Sequence, residues 1–396
     1  MTAPPRKILL LGMIDSIHLA RWIENSNIWR EHEVLLIPTS PHRRAQPAIL
    51  KASRSSDKDL QPGIKIHTVL RYLSLIVWIL DRDFLLKGRL RARFIENSIR
   101  RFDPDLIHVM ETQNGGYPLD IAIGHLQRSK DWRQPTTLLT LFGSDIFWFG
   151  RFPEHEKRLR SLLAKVTYLS AECSRDFQLA EKLGFKGQRL PLMPVAGGIE
   201  TSDICEAESA DVLAKRRKIL VKGYGGVWGQ GHIALEALGM LRSELTSYEI
   251  VVVSAERGAR RAAKLHLKRF GNAVRIHRKR SLSFEEMLSL YRQSRIYIGL
   301  SLSDGLPSSF LEAMSQGAYP IQTTSACIDQ VLNQSAIATG VAPGASVEQL
   351  ASEIKRILSD DALALEAQHL NLSVVRKHYV VKSHGAVLPF SYANLN

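Results

Sequence analysis

Cysteine is scarce in this chain: Cys173, Cys205 and Cys327 are the three in 396 residues. They are too few and too scattered for a disulfide framework or a metal site, so the expected home is a reducing cytoplasm. Cys173, inside ECSRD, reads as a small buried residue rather than a nucleophile. Long apolar runs are also missing. The strongest, residues 73–80, falls far short of the roughly 20 residues that a membrane-spanning helix needs. The opening MTAPPR lacks the apolar region of an export signal. The segment LGMIDSIHLARW, after the first strand-like run, contains no G-x-G-x-x-G, which argues against a nicotinamide or flavin site. Acids are outnumbered, 39 against 53 Lys and Arg, for a net charge of +14. Charge alone would admit nucleic acid, but no aromatic-basic motif accompanies it, and that reading ranks last.

The chain is long enough for two cores, and its periodicity supports two α/β domains. Strand-like runs at 7–11, 33–37, 105–110, 137–141 and 167–169 alternate with helical segments. A second series follows at 218–222, 249–254, 274–277, 296–302 and 319–322. The expected fold class is α/β, with two doubly wound, Rossmann-like domains. The boundaries read as 1–199 for the first domain, 200–216 for a polar linker, 217–375 for the second domain and 376–396 for a tail. In open parallel sheets ligands bind beyond the strand carboxyl ends, where Gly12, Gly143, Gly223 and Asp304 all fall, so the site is expected in a cleft between the domains.

The most informative stretch is SLSDGLPSSFLEAMSQGAYPIQTT, residues 301–324. Asp304 and Gly305 break a strand, Pro307 suits a first helical position, and Phe310, Leu311 and Met314 supply an apolar stripe ending near Gly317. Asp304 then lies in the loop and Glu312 in the second helical turn. The N–H groups of Ser308, Ser309 and Phe310 lack partners inside the helix and can receive a phosphate, aided by the helix dipole. At a rise of about 1.5 Å per residue, Glu312 sits roughly 7 to 8 Å deeper than Pro307. A diphosphate fits between the two acids, with Glu312 on ribose hydroxyls and Asp304 on those of a sugar. The alternative is that Asp304 caps the helix and Glu312 is a surface acid.

Three further places offer polar groups at strand ends. VKGYGGVWGQGH, residues 221–232, is glycine-rich and opens a helix, which suits backbone contact with a ligand or a purely structural turn. Its basic side chain is Lys222. His18 follows the first strand and reads either as a cleft residue or as a solvated helix residue. Asp145 follows the fourth strand and can orient or deprotonate an acceptor, or cap a helix.

These residues resemble the retaining glycosyltransferases of family 4, which have the GT-B fold, two Rossmann-like domains facing a central cleft. SDGLPSSFLEAMSQGAYPI is similar to that family's acid-x7-acid motif, with Asp304 where Glu usually stands. Other stretches resemble a subset associated with bacterial surface glycans: SIHLARW from Ser16, the loop with Gly115, Gly116 and Tyr117, the GSD of residues 143–145, ECSRD from Glu172, and PVAGGI from Pro194. The resemblance implies metal-independent transfer, with retention, from a nucleotide-diphosphate sugar to a glycan acceptor that is often lipid-linked. It requires no cofactor. It assigns catalysis to Asp145, Asp304 and His18; donor binding to Lys222, Gly223, Arg257, Ser308, Ser309 and Glu312; and the acceptor side to Gly12, Gly116 and Tyr117. The family usually pairs an Arg with a Lys in the glycine-rich loop. Here Gln230 stands near the Arg position, so Lys222 acts alone, Arg257 helps, or the donor carries less charge. Where a His is common before the Asp turn, this chain has Phe142.

Two basic blocks remain. Residues 71–101 hold eight Arg and Lys against three acids, interleaved with YLSLIVWIL and FLL; residues 257–280 hold ten bases and no acid. The first reads either as an interfacial element on an anionic membrane surface or as a buried helix followed by a solvated one. The second reads as a solvated face near the donor phosphates. The leading expectation is a cytoplasmic glycosyltransferase, peripheral on the membrane. A catalytically weak sugar-nucleotide binding or scaffold protein and a GT-B sugar-nucleotide epimerase are the alternatives. In GT-B proteins the final helix crosses back to the first domain, which would pack residues 388–396 near its sheet.

Overall fold

The computed structural model of the chain describes residues 5–395 apart from 27, 43, 55–62, 82–85, 272–273 and 382–391. The chain divides into two compact units, Met1–Gly198 with Val381–Asn396, and Ile199–Val380.

The first unit is built on seven parallel strands: β1 Lys7–Gly12, β2 Glu33–Pro38, β3 Ile64–Ile66, β4 Leu106–Met110, β5 Thr136–Thr140, β6 Tyr168–Ser170 and β7 Gln188–Arg189. Their order is β3-β2-β1-β4-β5-β6-β7. β1, KILLLG, shows no polar alternation because helices cover both faces. Ile8 and Leu10 pack with Trp22 and Ile23 on one side, and Leu9 and Leu11 with Val109 and Leu119 on the other. Tyr392, far along the chain, joins this core. Its hydroxyl accepts from Trp22 Nε1 at 2.8 Å and meets His108 Nδ1 at 2.7 Å. Residues 388–391 and 396 lie outside the described residues.

The second unit has six parallel strands: β8 Lys218–Lys222, β9 Glu249–Ala255, β10 Val274–Arg278, β11 Ser294–Gly299, β12 Tyr319–Thr323 and β13 Thr339–Val341, in the order β10-β9-β8-β11-β12-β13. Again alternate residues serve two cores, Ile219 and Val221 in one and Leu220 in the other. Residues 200–216, read from sequence as a linker, are folded onto this unit. Cys205 N–H donates to Ser315 O at 3.0 Å, Glu208 N–H to the Gln368 amide oxygen at 2.8 Å, and buried Arg216 to Gln316 O at 2.9 Å. The helix Asp361–His378 runs past the expected boundary at 375, and Ile199 bridges Val380. The unit therefore closes where the chain enters and leaves it.

Candidate active site

In the second unit the strand order reverses between β8 and β11, so the connections leaving these neighbours diverge and open a crevice beyond their carboxyl ends. The two loops are tied together: Leu302 and Ser303 N–H both donate to Val227 O, at 2.8 and 3.1 Å. At this point Lys222 Nζ donates to Asp304 Oδ2 at 3.1 Å, the side chains being 9% and 20% exposed. Burial works against the ammonium, but Asp304, Tyr297 and Tyr224 outweigh it and hold Lys222 above the usual lysine range.

Tyr297 lies beneath this pair. Its hydroxyl is 2.7 Å from Ser309 Oγ. Burial pushes its pKa up to about 12; Lys222 and the Ser309 hydrogen bond oppose the rise, while Asp304 and Glu312 add to it. One hydroxyl thus feels Lys222, Asp304, Ser309 and Glu312 together. A Cβ on Gly299 would lie 2.7 Å from that hydroxyl and 2.2 Å from Gln322 Oε1, so β11 must end on glycine. Tyr297 is absent from the sequence candidates because it sits in the apolar run RIYIGL. Its one signal is a polar tip on a strand buried on both faces.

The following helix is Ser308–Ser315, one residue shorter at its start than the sequence suggests. Pro307 stays extended at φ −64°, ψ 125°, and its carbonyl accepts Phe310 N–H at 2.9 Å and Leu311 N–H at 3.3 Å. Phe310 N–H is therefore engaged, which corrects the expected anion cradle to the amides of Ser308 and Ser309. Ser308 Oγ has no hydrogen-bond partner among the described residues. Glu312 is buried in the second turn.

The glycine-rich loop packs closely. A Cβ on Gly223 would fall 2.7 Å from Val252 and 2.8 Å from Ala255, space that no side chain can occupy. Tyr224 is flanked by Lys222 and Lys279, whose nitrogens lie 5.2 and 5.0 Å from its ring centre. Gly225 N–H donates to Glu256 Oε2 at 3.2 Å, and Lys279 pairs with Glu256 Oε1 at 3.5 Å. Glu256, Lys279 and Tyr224 were not singled out from sequence. Arg257 is exposed at the start of the helix Arg257–Phe270, and among the described residues no hydrogen bond or ion pair joins it to Lys222.

In the first unit, the strand order reverses between β1 and β4, and polar groups gather at the carboxyl ends there and on the adjoining β5. The His18 ring stands edge-on to Phe142, centroids 5.8 Å apart. Phe142 N–H donates to Asp145 Oδ1 at 3.0 Å, which closes the turn, while the helix Ser144–Phe147 is capped at Gly143 without a side-chain bond. Asp145 is 3% exposed, and burial, with Asp176 and Glu111 adding, raises its pKa to about 8. Glu111, missed from sequence, is left-handed at φ 81° and accepts Asn114 N–H at 2.9 Å and Gly115 N–H at 2.8 Å. Burial lifts it to about 7 against those hydrogen bonds and Arg91. Gly12, Gly116 and Tyr117 are set by packing: added Cβ atoms would lie 2.9 Å from Leu19 and 2.6 Å from Leu162, and Tyr117 is buried with its hydroxyl 3.0 Å from His155 Nδ1.

Residues 215–370 match the family model described as Glycosyl transferases group 1, which places such a domain in the second unit. No curated protein matched the chain. Among solved structures, the chain is similar to α,α-trehalose 6-phosphate synthase from Burkholderia multivorans, at TM-score 0.67 and 12% identity over 95% of each chain. Sucrose-phosphate synthase from Thermosynechococcus elongatus gives 0.65 and 12%, also over 95% of each. Anabaena HepE in complex with UDP and glucose gives 0.61 and 12%, over 95% of this chain and 96% of that one. The fold is GT-B, two Rossmann-like parallel-sheet domains.

Proposed function

We propose that this protein is a retaining glycosyltransferase that moves a sugar from a nucleotide-diphosphate donor to a lipid-linked glycan acceptor in bacterial surface polysaccharide synthesis. The observation that carries the donor half is the grouping of Lys222, Asp304, Tyr297, Ser309 and Glu312 at the β8/β11 reversal inside a group 1 glycosyltransferase domain. Lys222 and the Ser308 and Ser309 amides neutralise the departing diphosphate, where negative charge grows as the sugar acquires oxocarbenium character. Asp304 holds Lys222 charged until the donor arrives and then meets the sugar hydroxyls. Glu312 takes the ribose. The proposal needs no resident metal. Burial raises Asp145 to about 8, so it holds its proton most of the time near neutrality while Oδ1 closes the GSD turn.

The membrane half rests on the helix Thr68–Leu80, which no helix of spanning length or hydropathy accompanies among the described residues. Leu70, Ser74 and Val77 are buried, while Tyr72, Leu73, Ile76 and Ile79 are 45–59% exposed. Exposed Lys87, Arg89 and Arg93 follow in the chain, a combination suited to an anionic bilayer surface. Residues 82–85 of this basic block lie outside the described residues.

The donor site is tested by thermal stabilisation with UDP, GDP, CMP and their sugar conjugates. A ligand at a hundred times its dissociation constant adds about 2.7 kcal/mol. One nucleotide class should stabilise the protein selectively, and Glu312→Ala should abolish the effect. A nucleotide-sugar that binds but is never transferred, with membranes and glycan acceptors supplied, would favour the binding or scaffold reading.

A further inference from the structure

The second basic block folds into one concave surface. Arg257, Arg260, Arg261 and Lys264 follow one another at helical spacings along one face of the helix Arg257–Phe270. With Arg278 and Ile276 of β10 they line a hollow of about 500 Å³. No acid lines it. Among the described residues none of the five cationic side chains pairs with a carboxylate, and Arg260 Nε is buried without a hydrogen-bond partner. Two neighbouring cations outside the hollow are paired, Arg275 to Glu249 at 2.7 Å and Lys279 to Glu256 at 3.5 Å.

This arrangement opposes the helix that carries it. Arg257 and Arg260 occupy the first turn, where the helix dipole disfavours positive charge, and the acid at the N-cap, Glu256, is engaged by Gly225 N–H and Lys279. Like charges three and four residues apart add repulsion along the same face. A bound anion removes both costs. Guanidinium groups present forked donors that match phosphate oxygens, and five cations around one hollow exceed what a single phosphate or carboxylate neutralises.

We infer that this hollow is a second anion site, separate from the donor crevice, for a ligand bearing two or more phosphate groups. β10 is the edge of the sheet, two strands from β8, and Glu256, bonded to Gly225 and Lys279, comes between the glycine-rich loop and Arg257 along the chain. The ligand is either a free polyphosphorylated solute or the phosphates of a lipid headgroup, and the two sources are separable.

The experiment is thermal stabilisation by tripolyphosphate, with the full chain first saturated by whichever nucleotide stabilises it, or without nucleotide if none does. Sedimentation with cardiolipin vesicles is run in parallel on an Ile76→Glu/Ile79→Glu background that silences the apolar helix. The expected result is a further rise of roughly 5 °C at about a hundred times the dissociation constant, or vesicle binding, lost in Arg260→Gln/Arg261→Gln. That variant, without anion, should melt no lower than the parent, because repulsion has been removed. If it does not fold, Lys264→Gln/Arg278→Gln serves in its place. Silence in both arms overturns the inference, as does a response that nucleotide competes away or that survives the substitutions. Glu312→Ala should leave the anion response intact, so a failed donor site and a failed anion site are distinguishable.

Discussion

At the scale of single residues, the protein puts ionisable groups where burial works against their charge, and each case resolves by its neighbours. Lys222 stays charged because Asp304 is 3.1 Å away. Among the described residues no cation pairs with Asp145, and Asp176 and Glu111 add to the effect of burial in disfavouring its ionisation. The consequence for stability has a definite sign. A carboxyl whose folded pKa is about 8 and whose unfolded pKa is near 4 contributes fully below about pH 4, and that contribution falls as pH rises towards 8. Asp145→Asn removes the titration while keeping the acceptor for Phe142 N–H. Unfolding followed from pH 5 to 8 should therefore show the parent losing on the order of a few kcal/mol relative to the variant. Parallel profiles would mean that Asp145 is ionised in the fold. Legibility differs sharply at this scale. Lys222, Asp304, Ser309 and Glu312 were readable because chain order puts them at strand ends and a helix start. Tyr297 and Glu111 were not: a tyrosine in an apolar strand looks like core, and no sequence signal marks a non-glycine residue at φ 81°.

At the scale of elements, ten of the thirteen strands show in the sequence as apolar runs, since parallel strands covered on both faces need them. The three that do not, β3, β7 and β13, are edge strands of two or three residues, too short for any period. β11 was read as 296–302 but runs Ser294–Gly299. Its start holds buried Ser294 and Arg295, which carry no apolar signal, while Leu300 and Leu302 belong to the loop that binds Val227. The helix Thr68–Leu80 was legible as an apolar segment, but whether it is buried depends on what packs against it, which local pattern does not encode. In the fold one face remains open. On the proposed membrane role, full-length protein should sediment with phosphatidylglycerol vesicles and much less with phosphatidylcholine. Ile76→Glu/Ile79→Glu should reduce that binding at least tenfold, because charge replaces two apolar side chains worth about 1.5–3 kcal/mol each when buried. These sites are exposed, so the melting temperature should be nearly unchanged. Equal binding to both lipids would remove the electrostatic part of the argument, and unchanged binding in the variant would remove the apolar part.

At the scale of the whole molecule, contact in space and order along the chain disagree in one place, and it is the place sequence reasoning could reach only by analogy. The last described residues belong to the first unit, although the second unit intervenes. Nothing local in SYANLN marks Tyr392 as core. Its role appears only when β4 supplies His108 and the first helix supplies Trp22. His108 is fully buried and held neutral, with its pKa lowered to about 3 by burial, so its two ring nitrogens must find neutral partners: Thr140 Oγ1 at 2.8 Å and the Tyr392 hydroxyl at 2.7 Å. Arg6 fastens the same segment by donating to Tyr392 O at 2.9 Å and to Leu395 O. The tail thus supplies the hydroxyl to which Trp22 Nε1 donates and which His108 Nδ1 meets inside this core. Tyr392→Phe keeps the ring and deletes only the hydroxyl, so its cost is the loss of the two buried hydrogen bonds to Trp22 and His108, about 1–3 kcal/mol. Removing residues 392–396 adds the loss of buried Tyr392 and Leu395 and should cost more. Denaturant unfolding followed by far-ultraviolet circular dichroism checks the order: parent most stable, Tyr392→Phe next, truncation least. Trp22→Phe/Tyr392→Phe should recover part of the single-variant loss, since a donor and its acceptor leave together. A truncated chain as stable as the parent would show that the first unit closes its core without the tail.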